Sequence, residues 1–165
     1  MIWLIAYIAT IFAANWAIVT FGAIPVGFGL LAPAGVAFAG LAFGLRDLVQ
    51  DQLGRRWTIV AILVGAGASA FVSPQFALAS GTAFLVSEMA DFFVYTPLKE
   101  RSWYGAVFAS NVVGLVADSV LFLSLAFGSL AFLGGQIVGK TEVTLAFVVI
   151  AWMYRNRHAV LPRNA

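Results

Sequence analysis

Apolar residues fill this chain in six long blocks separated by short breaks. A helix rises about 1.5 Å per residue, and bilayer hydrocarbon is about 30 Å thick, so a crossing needs about 20 mostly apolar residues. The blocks cover approximately 2–21, 30–52, 57–73, 76–98, 103–127 and 132–154, the third being short. The breaks carry Gly22 to Gly29 with Pro25, Gly54, Ser73-Pro74, Lys99 to Ser102, and Gly128 to Gly135, where Gly and Pro act as punctuation. The pattern predicts an all-α membrane protein, a bundle of six transmembrane helices forming one domain over 1–165.

Composition strengthens that expectation. Of 165 residues, 62% are hydrophobic and only 10% charged, with a mean hydropathy of +0.99. A soluble domain has about a quarter charged residues, so this surface is built for lipid. The first segment lacks the basic stretch that opens a secretory leader, and is read as a retained span. No cysteine is present, which excludes disulfides and thiolate metal sites. A net charge of +2 is too small to suggest a nucleic-acid partner.

The placement of basic residues orients the bundle. Six spans put both termini on one side, with the second and fourth connections. Those regions hold Arg55, Arg56, Lys99, Arg101, Arg155, Arg157 and Arg163, and the opposite connections hold no basic residue. The positive-inside rule assigns the basic side, and both termini, to the cytoplasm. Trp57, Trp103 and Trp152 fall near that interface, where amphipathic rings are favoured.

Two glycine motifs mislead. "GGQIVGKT", 134–141, matches G-x-x-x-x-G-K-[ST], but a phosphate loop follows a strand and meets cytoplasmic nucleotide. Here the flanks are spans and the side is extracytoplasmic. "GAGASA", 65–70, lies inside a span. Its small residues, and Gly40-x-x-x-Gly44, suit close helix packing.

Ionisable residues at lipid depth are costly and normally turn inward. This chain carries Arg46, Asp47, Asp51, Glu88, Asp91, Asp118, Lys140 and Glu142, with the amides Asn15 and Asn111. Counted from Arg55, Asp51 and Asp47 lie about 6 and 12 Å deep; counted from Lys99, Asp91 and Glu88 lie about 12 and 17 Å deep. Asp118 lies about 22 Å beyond Trp103, and Lys140 a similar distance before Arg155. The expectation is one polar track, with Asn15, Asp118 and Lys140 in its outer half and Glu88, Asp91 and Asp47 continuing inward. Asp47 with Asp51, and Glu88 with Asp91, share helix faces. Adjacent carboxylates in low dielectric need a proton or a cation, and Lys140 and Arg46 are the candidate cations. Plainer readings stand beside these. Asp51 can pair with Arg55, Arg46 can snorkel, Glu142 can face the outer loop, Asp118–Lys140 can be purely structural, and Asn15 can be interhelical glue. Trp16, next to Asn15, is the candidate stacking surface.

These residues resemble the vitamin uptake transporter family, whose studied members are queuosine-precursor transporters, over nearly the whole chain. "RDLVQDQLGRR", 46–56, resembles its D-x-x-x-E-x-x-G signature, with Asp51 where many relatives have Glu. "LASGTAFLVSEMADFFVYTPLK", 78–99, resembles A-S-x-x-A-F…[QE]-x-x-D, giving Ser80, Glu88 and Asp91. "ASNVVGLVADSVLF", 109–122, resembles the segment ending D-[ST], giving Ser110, Asp118 and Ser119. Asn15 and Lys140 also fall at family positions. Glu88 stands where Gln is frequent, which alters the charge of the site. The resemblance implies import of a 7-deazaguanine base, such as the 7-cyano or 7-aminomethyl queuosine precursor, across the cytoplasmic (inner) membrane. A guanine-like edge has adjacent N–H donors that a carboxylate accepts in parallel.

The expected substrate-binding set is therefore Asn15, Trp16, Asp47, Glu88, Asp91, Asn111, Asp118 and Lys140, with no cofactor and no metal. The expected partners are a purine-like small molecule and the lipid bilayer, with a homo-oligomer or an energising module left open. The rival reading is a substrate-binding subunit of an energy-coupling importer for another small heterocycle. An intramembrane enzyme is disfavoured: His158, the sole histidine, is in the tail, and no nucleophile–base pair is visible.

Overall fold

A computed structural model describes residues 2–72 and 77–159. The 73–76 connection, Arg163 and the side chains of Ser80, Arg155, Arg157 and His158 lie outside the described residues. The described elements are α1 (Ile2–Phe21), β1 (Ala23–Pro25), β2 (Leu31–Pro33), α2 (Val36–Leu53), α3 (Arg55–Val72), α4 (Ala77–Leu98), α5 (Trp103–Phe127) and α6 (Leu133–Ala159). The protein is all-α apart from one small hairpin. Among the described residues α1, α5 and α6 up to Met153 contain stretches long and apolar enough to cross a membrane.

Most helix limits fall close to the apolar blocks. The second does not. Its predicted start at residue 30 belongs to a hairpin, in which Ala23, Ile24 and Pro25 pair antiparallel with Pro33, Ala32 and Leu31. A residue before proline is pushed out of the helical region, so Ala32 cannot easily start a helix. Gly27, Phe28 and Gly29 all have positive φ, at 96°, 51° and 71°. That succession reverses the chain, and Leu30 N–H closes it by donating to the Gly27 carbonyl at 2.8 Å. At the other end α2 meets α3 through Gly54 alone, again with positive φ (81°). Ser102 caps α5 by accepting from the Gly105 N–H at 3.3 Å, and left-handed Gly128 ends it.

Many polar groups are buried among the apolar core residues, and the exterior is largely apolar. Thr10, Asn15, Arg46, Asp47, Gln50, Glu88, Asp91, Asn111, Ser119, Gln136 and Lys140 are buried, while Ile5, Phe12, Val19, Leu63, Phe93, Leu145 and Ile150 are exposed. Buried polar groups behind an apolar exterior suit a hydrocarbon solvent. Helix α2, which carries Arg46, Asp47 and Asp51, takes the central place and touches all five others. Gly40 and Gly44 permit this: a Cβ on Gly40 would stand 3.1 Å from the Lys140 Cα, and one on Gly44 would strike the Phe147 ring at 2.6 Å.

The bundle has two distinct ends. Lys99, in the α4–α5 turn, pairs with Asp51 near the α2–α3 turn at 3.3 Å, and Trp3 and Leu4 pack against the cluster holding Leu48 and Leu53. The start of α1 and both turns carrying Arg55, Arg56, Lys99 and Arg101 thus share one end. The hairpin and the start of α6 share the other, where Gly135 lies against the Leu31 carbonyl. Gly134 and Gly135, expected in the break before the last span, sit inside helix α6 with Gly139, which corrects that limit.

Candidate functional site

Three polar groups lie along the bundle axis. The one nearest the hairpin is built on α5 and α6. Asp118 and Ser119 follow each other on α5, and Gln136 and Lys140 are one turn apart on α6. Lys140 Nζ donates to Asp118 Oδ2 at 2.5 Å, to Gln136 Oε1 at 2.6 Å and to Ser119 Oγ at 2.9 Å. Three donors of an ammonium meet three acceptors, so this buried charge is fully satisfied. One cation faces one carboxylate, and the pair is neutral.

Asp118, Gln136 and Lys140 form the polar wall of a cavity of about 70 Å³ that also reaches Thr10 and Asn15 on α1. Its other walls are largely apolar, with Phe38, Phe84 and Phe122 supplying rings. Pro33, the last residue of β2, with Gly35 and Val36 after it, closes it on the hairpin side. The Asn15 amide nitrogen donates to the Ile11 carbonyl at 2.9 Å. A few placed polar groups among rings and aliphatic side chains is the usual make-up of a small-molecule site.

The middle group centres on Arg46, which is completely buried. Its guanidinium pairs with Asp47 at 3.0 Å, with Glu88 at 3.4 Å and with Asp91, and donates to Gln50 Oε1 at 3.3 Å. Tyr7 of α1 brings its hydroxyl beside Glu88. Arg46 also lies over the Tyr95 ring, 5.3 Å from its centroid. Three carboxylates thus surround one guanidinium with all side chains 0–1% exposed.

The third group ties the basic end. Asp51 accepts from Tyr95 at 2.8 Å, from Lys99 at 3.3 Å and from the Trp103 indole. Gln50 donates to Thr96 at 3.0 Å. Helices α2, α4 and α5 are joined there by one carboxylate.

The single track expected from depth counting is therefore divided. Asn15, Asp118 and Lys140 share the cavity. Asp47, Glu88 and Asp91 gather on Arg46 and do not line it. Asn111 is buried on α5, outside the cavity lining, and among the described residues neither of its amide atoms has a hydrogen-bond partner. Trp16 is 57% exposed, edge-on to Phe21, and points away from the cavity. The aromatic walls come instead from Phe38, Phe84 and Phe122. Asp51 bonds Lys99, Tyr95 and Trp103, not Arg55. Arg46 does not snorkel, because three acids hold it inside. Glu142 is exposed, close to the hairpin turn at Gly27. Gln136 and Thr10 were missed. Gln136 had a legible signal, since it precedes Lys140 by one helical turn in the same span; Thr10 had none, because a lone threonine in a span most often bonds its own helix, as Thr10 does to the Tyr7 carbonyl.

A protein-family model described as putative vitamin uptake transporter matches residues 70–161, which span α4, α5 and α6. The chain belongs to that family. A search of curated proteins and a search of solved structures each returned no match. The matched segment supplies Glu88, Asp91, Asp118, Gln136 and Lys140, while Asn15, Arg46 and Asp47 come from the part of the chain before it.

Proposed function

We propose that this protein is a multi-pass carrier of the cytoplasmic (inner) membrane that imports a purine-like base of the 7-deazaguanine type, the precursor class of queuosine. Its six helices all cross the bilayer, with both termini and the Arg55, Arg56, Lys99 and Arg101 end in the cytoplasm. Family membership supports transport of a vitamin-like molecule. The observation that carries the reading is the cavity at the far end of the bundle. Its Lys140–Asp118 pair, Gln136 and Asn15 face Phe38, Phe84 and Phe122. A flat heterocycle can lie against the rings while its edge exchanges hydrogen bonds with the polar wall. The Asp118 carboxylate, 16% exposed, is the acceptor suited to adjacent N–H donors on a guanine-like edge. The Asn15 and Gln136 amides suit a carbonyl or ring-nitrogen edge, and Lys140 holds Asp118 and Gln136 in place for it.

The test is uptake in queuosine-auxotrophic cells lacking their own transporter, supplied separately with the 7-cyano and 7-aminomethyl bases. The parent chain is expected to restore queuosine in tRNA. Asp118→Asn and Lys140→Ala, at matched membrane abundance, are expected to lower the initial uptake rate at least about tenfold, the equivalent of one charge-assisted hydrogen bond. Variants that transport like the parent sink the assignment of this cavity. Loss of uptake on deleting an energy-coupling ATPase, with competition by riboflavin, biotin or thiamine, would instead mark a binding subunit of a vitamin importer.

A further inference from the structure

The Arg46 group is unbalanced in a way the Lys140 group is not. Asp47, Glu88 and Asp91 bring three negative charges to one guanidinium, at 0–1% exposure. Burying an ion without a counter-charge is far more costly than burying a neutral acid, so such a group folds by holding protons. The other neighbours do not supply the missing positive charge. From α1 comes Tyr7; from α2, Asp51 one turn beyond Asp47; from α4, Tyr95 and Lys99, the latter spent on Asp51; from α5, Asp118; and from α6, Lys140, spent on Asp118. Helix α3 has only Arg55 and Arg56 at its exposed first turn.

Glu88 stands out within the group. Its separation from Arg46, 3.4 Å, is longer than that of Asp47, 3.0 Å, so the guanidinium holds it less closely, while among the described residues none of the three acids has a hydrogen bond of good geometry on either oxygen. It lies one turn from Phe84, which lines the cavity, and the fully buried Tyr7 hydroxyl beside it lies one turn from Thr10 and Ile11, which also line it. A buried acid one helical turn from the cavity lining, with a buried hydroxyl beside it, is placed to exchange a proton with cavity water.

Resting on the transport reading above, we infer that the Arg46 group is the proton-binding site of the carrier and that Glu88 is its exchangeable position, so that one proton enters with each molecule of base. The proton arrives from the cavity onto a Glu88 oxygen while the base occupies the Asp118–Lys140 wall, and it leaves toward the cytoplasm after the base does. No bond of the substrate is made or broken.

The experiment uses the purified full chain in proteoliposomes, with labelled 7-cyano-7-deazaguanine, a pH dye trapped inside, and the membrane potential clamped. A gradient of one pH unit, acid outside, is expected to accumulate the base about tenfold, the limit for one proton per neutral molecule, and to acidify the lumen as it does. Glu88→Gln is expected to exchange labelled for unlabelled base at a rate that no longer responds to pH, with no gradient-driven accumulation. Infrared difference spectra of the same samples are expected to show a protonated carboxyl band near neutral pH that loses a component in Glu88→Gln. Exchange by the parent without any gradient-driven accumulation overturns the proton site and leaves the carrier reading standing. A parent that neither accumulates nor exchanges the base overturns the carrier reading. Absence of the protonated-carboxyl component overturns the proton site in either case, as does a Glu88→Gln chain that still accumulates the base.

Discussion

Lys140 and Arg46 solve the same problem differently. Both are long cations with no exposure to solvent, and each stays inside because acids from neighbouring helices hold it. Lys140 has one carboxylate and two neutral acceptors, so its charge is balanced and its donors are used. Arg46 has three carboxylates, more than one guanidinium can offset, so its group is balanced only with bound protons. Removing the guanidinium should therefore be severe. Arg46→Met is expected to lose about 3–5 kcal/mol, the cost of stranding a buried charge, seen as a collapse of the thermal midpoint in detergent at neutral pH. The sign of its pH dependence follows from proton uptake. Without Arg46 the folded chain must carry more protons than the unfolded chain, so stability rises as pH falls. A variant that melts at the same temperature as the parent at both pH 5 and pH 8 would contradict this account of the acids.

At the scale of elements, the cavity depends on how closely α6 approaches the hairpin and α2. That approach is set by glycine. A Cβ on Gly135 would run into the Leu31 carbonyl, and backbone cannot swing aside as a flexible side chain can. Gly135→Ala is expected to cost about 1–3 kcal/mol through overpacking and to slow uptake, because the hairpin side of the cavity must shift. Gly67→Ala is the control: a Cβ there meets nothing within 4 Å, and alanine is the better helix residue. Its midpoint should match or exceed the parent's. Equal midpoints for both variants would remove the close approach as a structural constraint. The Asp51 group, joining α2, α4 and α5 at the opposite end, holds the bundle together where the cavity does not open.

For the whole molecule the expectation concerns sidedness. The chain has no cysteine, so a single introduced thiol reports its own location. In right-side-out vesicles Ser129→Cys, in the exposed α5–α6 connection, should react with an impermeant maleimide. Arg56→Cys, at the basic end, should react only after the membrane is opened. The reverse pattern would invert the orientation, and labelling of both from outside would break the six-crossing count.

Much of this was legible in the chain alone. The apolar blocks located the helices because, in lipid, a segment must both match the hydrocarbon thickness and satisfy its own backbone, and few sequences do so without a long apolar run. The rarity of charge at that depth also marked Asp118, Lys140, Glu88 and Asp91 as inward-facing. Which of them meet was not legible. Depth gives height along the axis but not rotation about it, and it was rotation that sent Glu88 and Asp91 to Arg46 and left Asp118 to Lys140. Rotation likewise turned Trp16 outward beside an inward Asn15, a difference of one residue and about 100°. The hairpin that begins before α2 escaped because its residues are as apolar as a span, and only the positive φ of three successive residues between β1 and β2 turns them back. Sequence determined that this chain lives in lipid and which side chains must hide from it; tertiary packing decided their company, since a buried charge is stabilised only by the particular neighbour within reach.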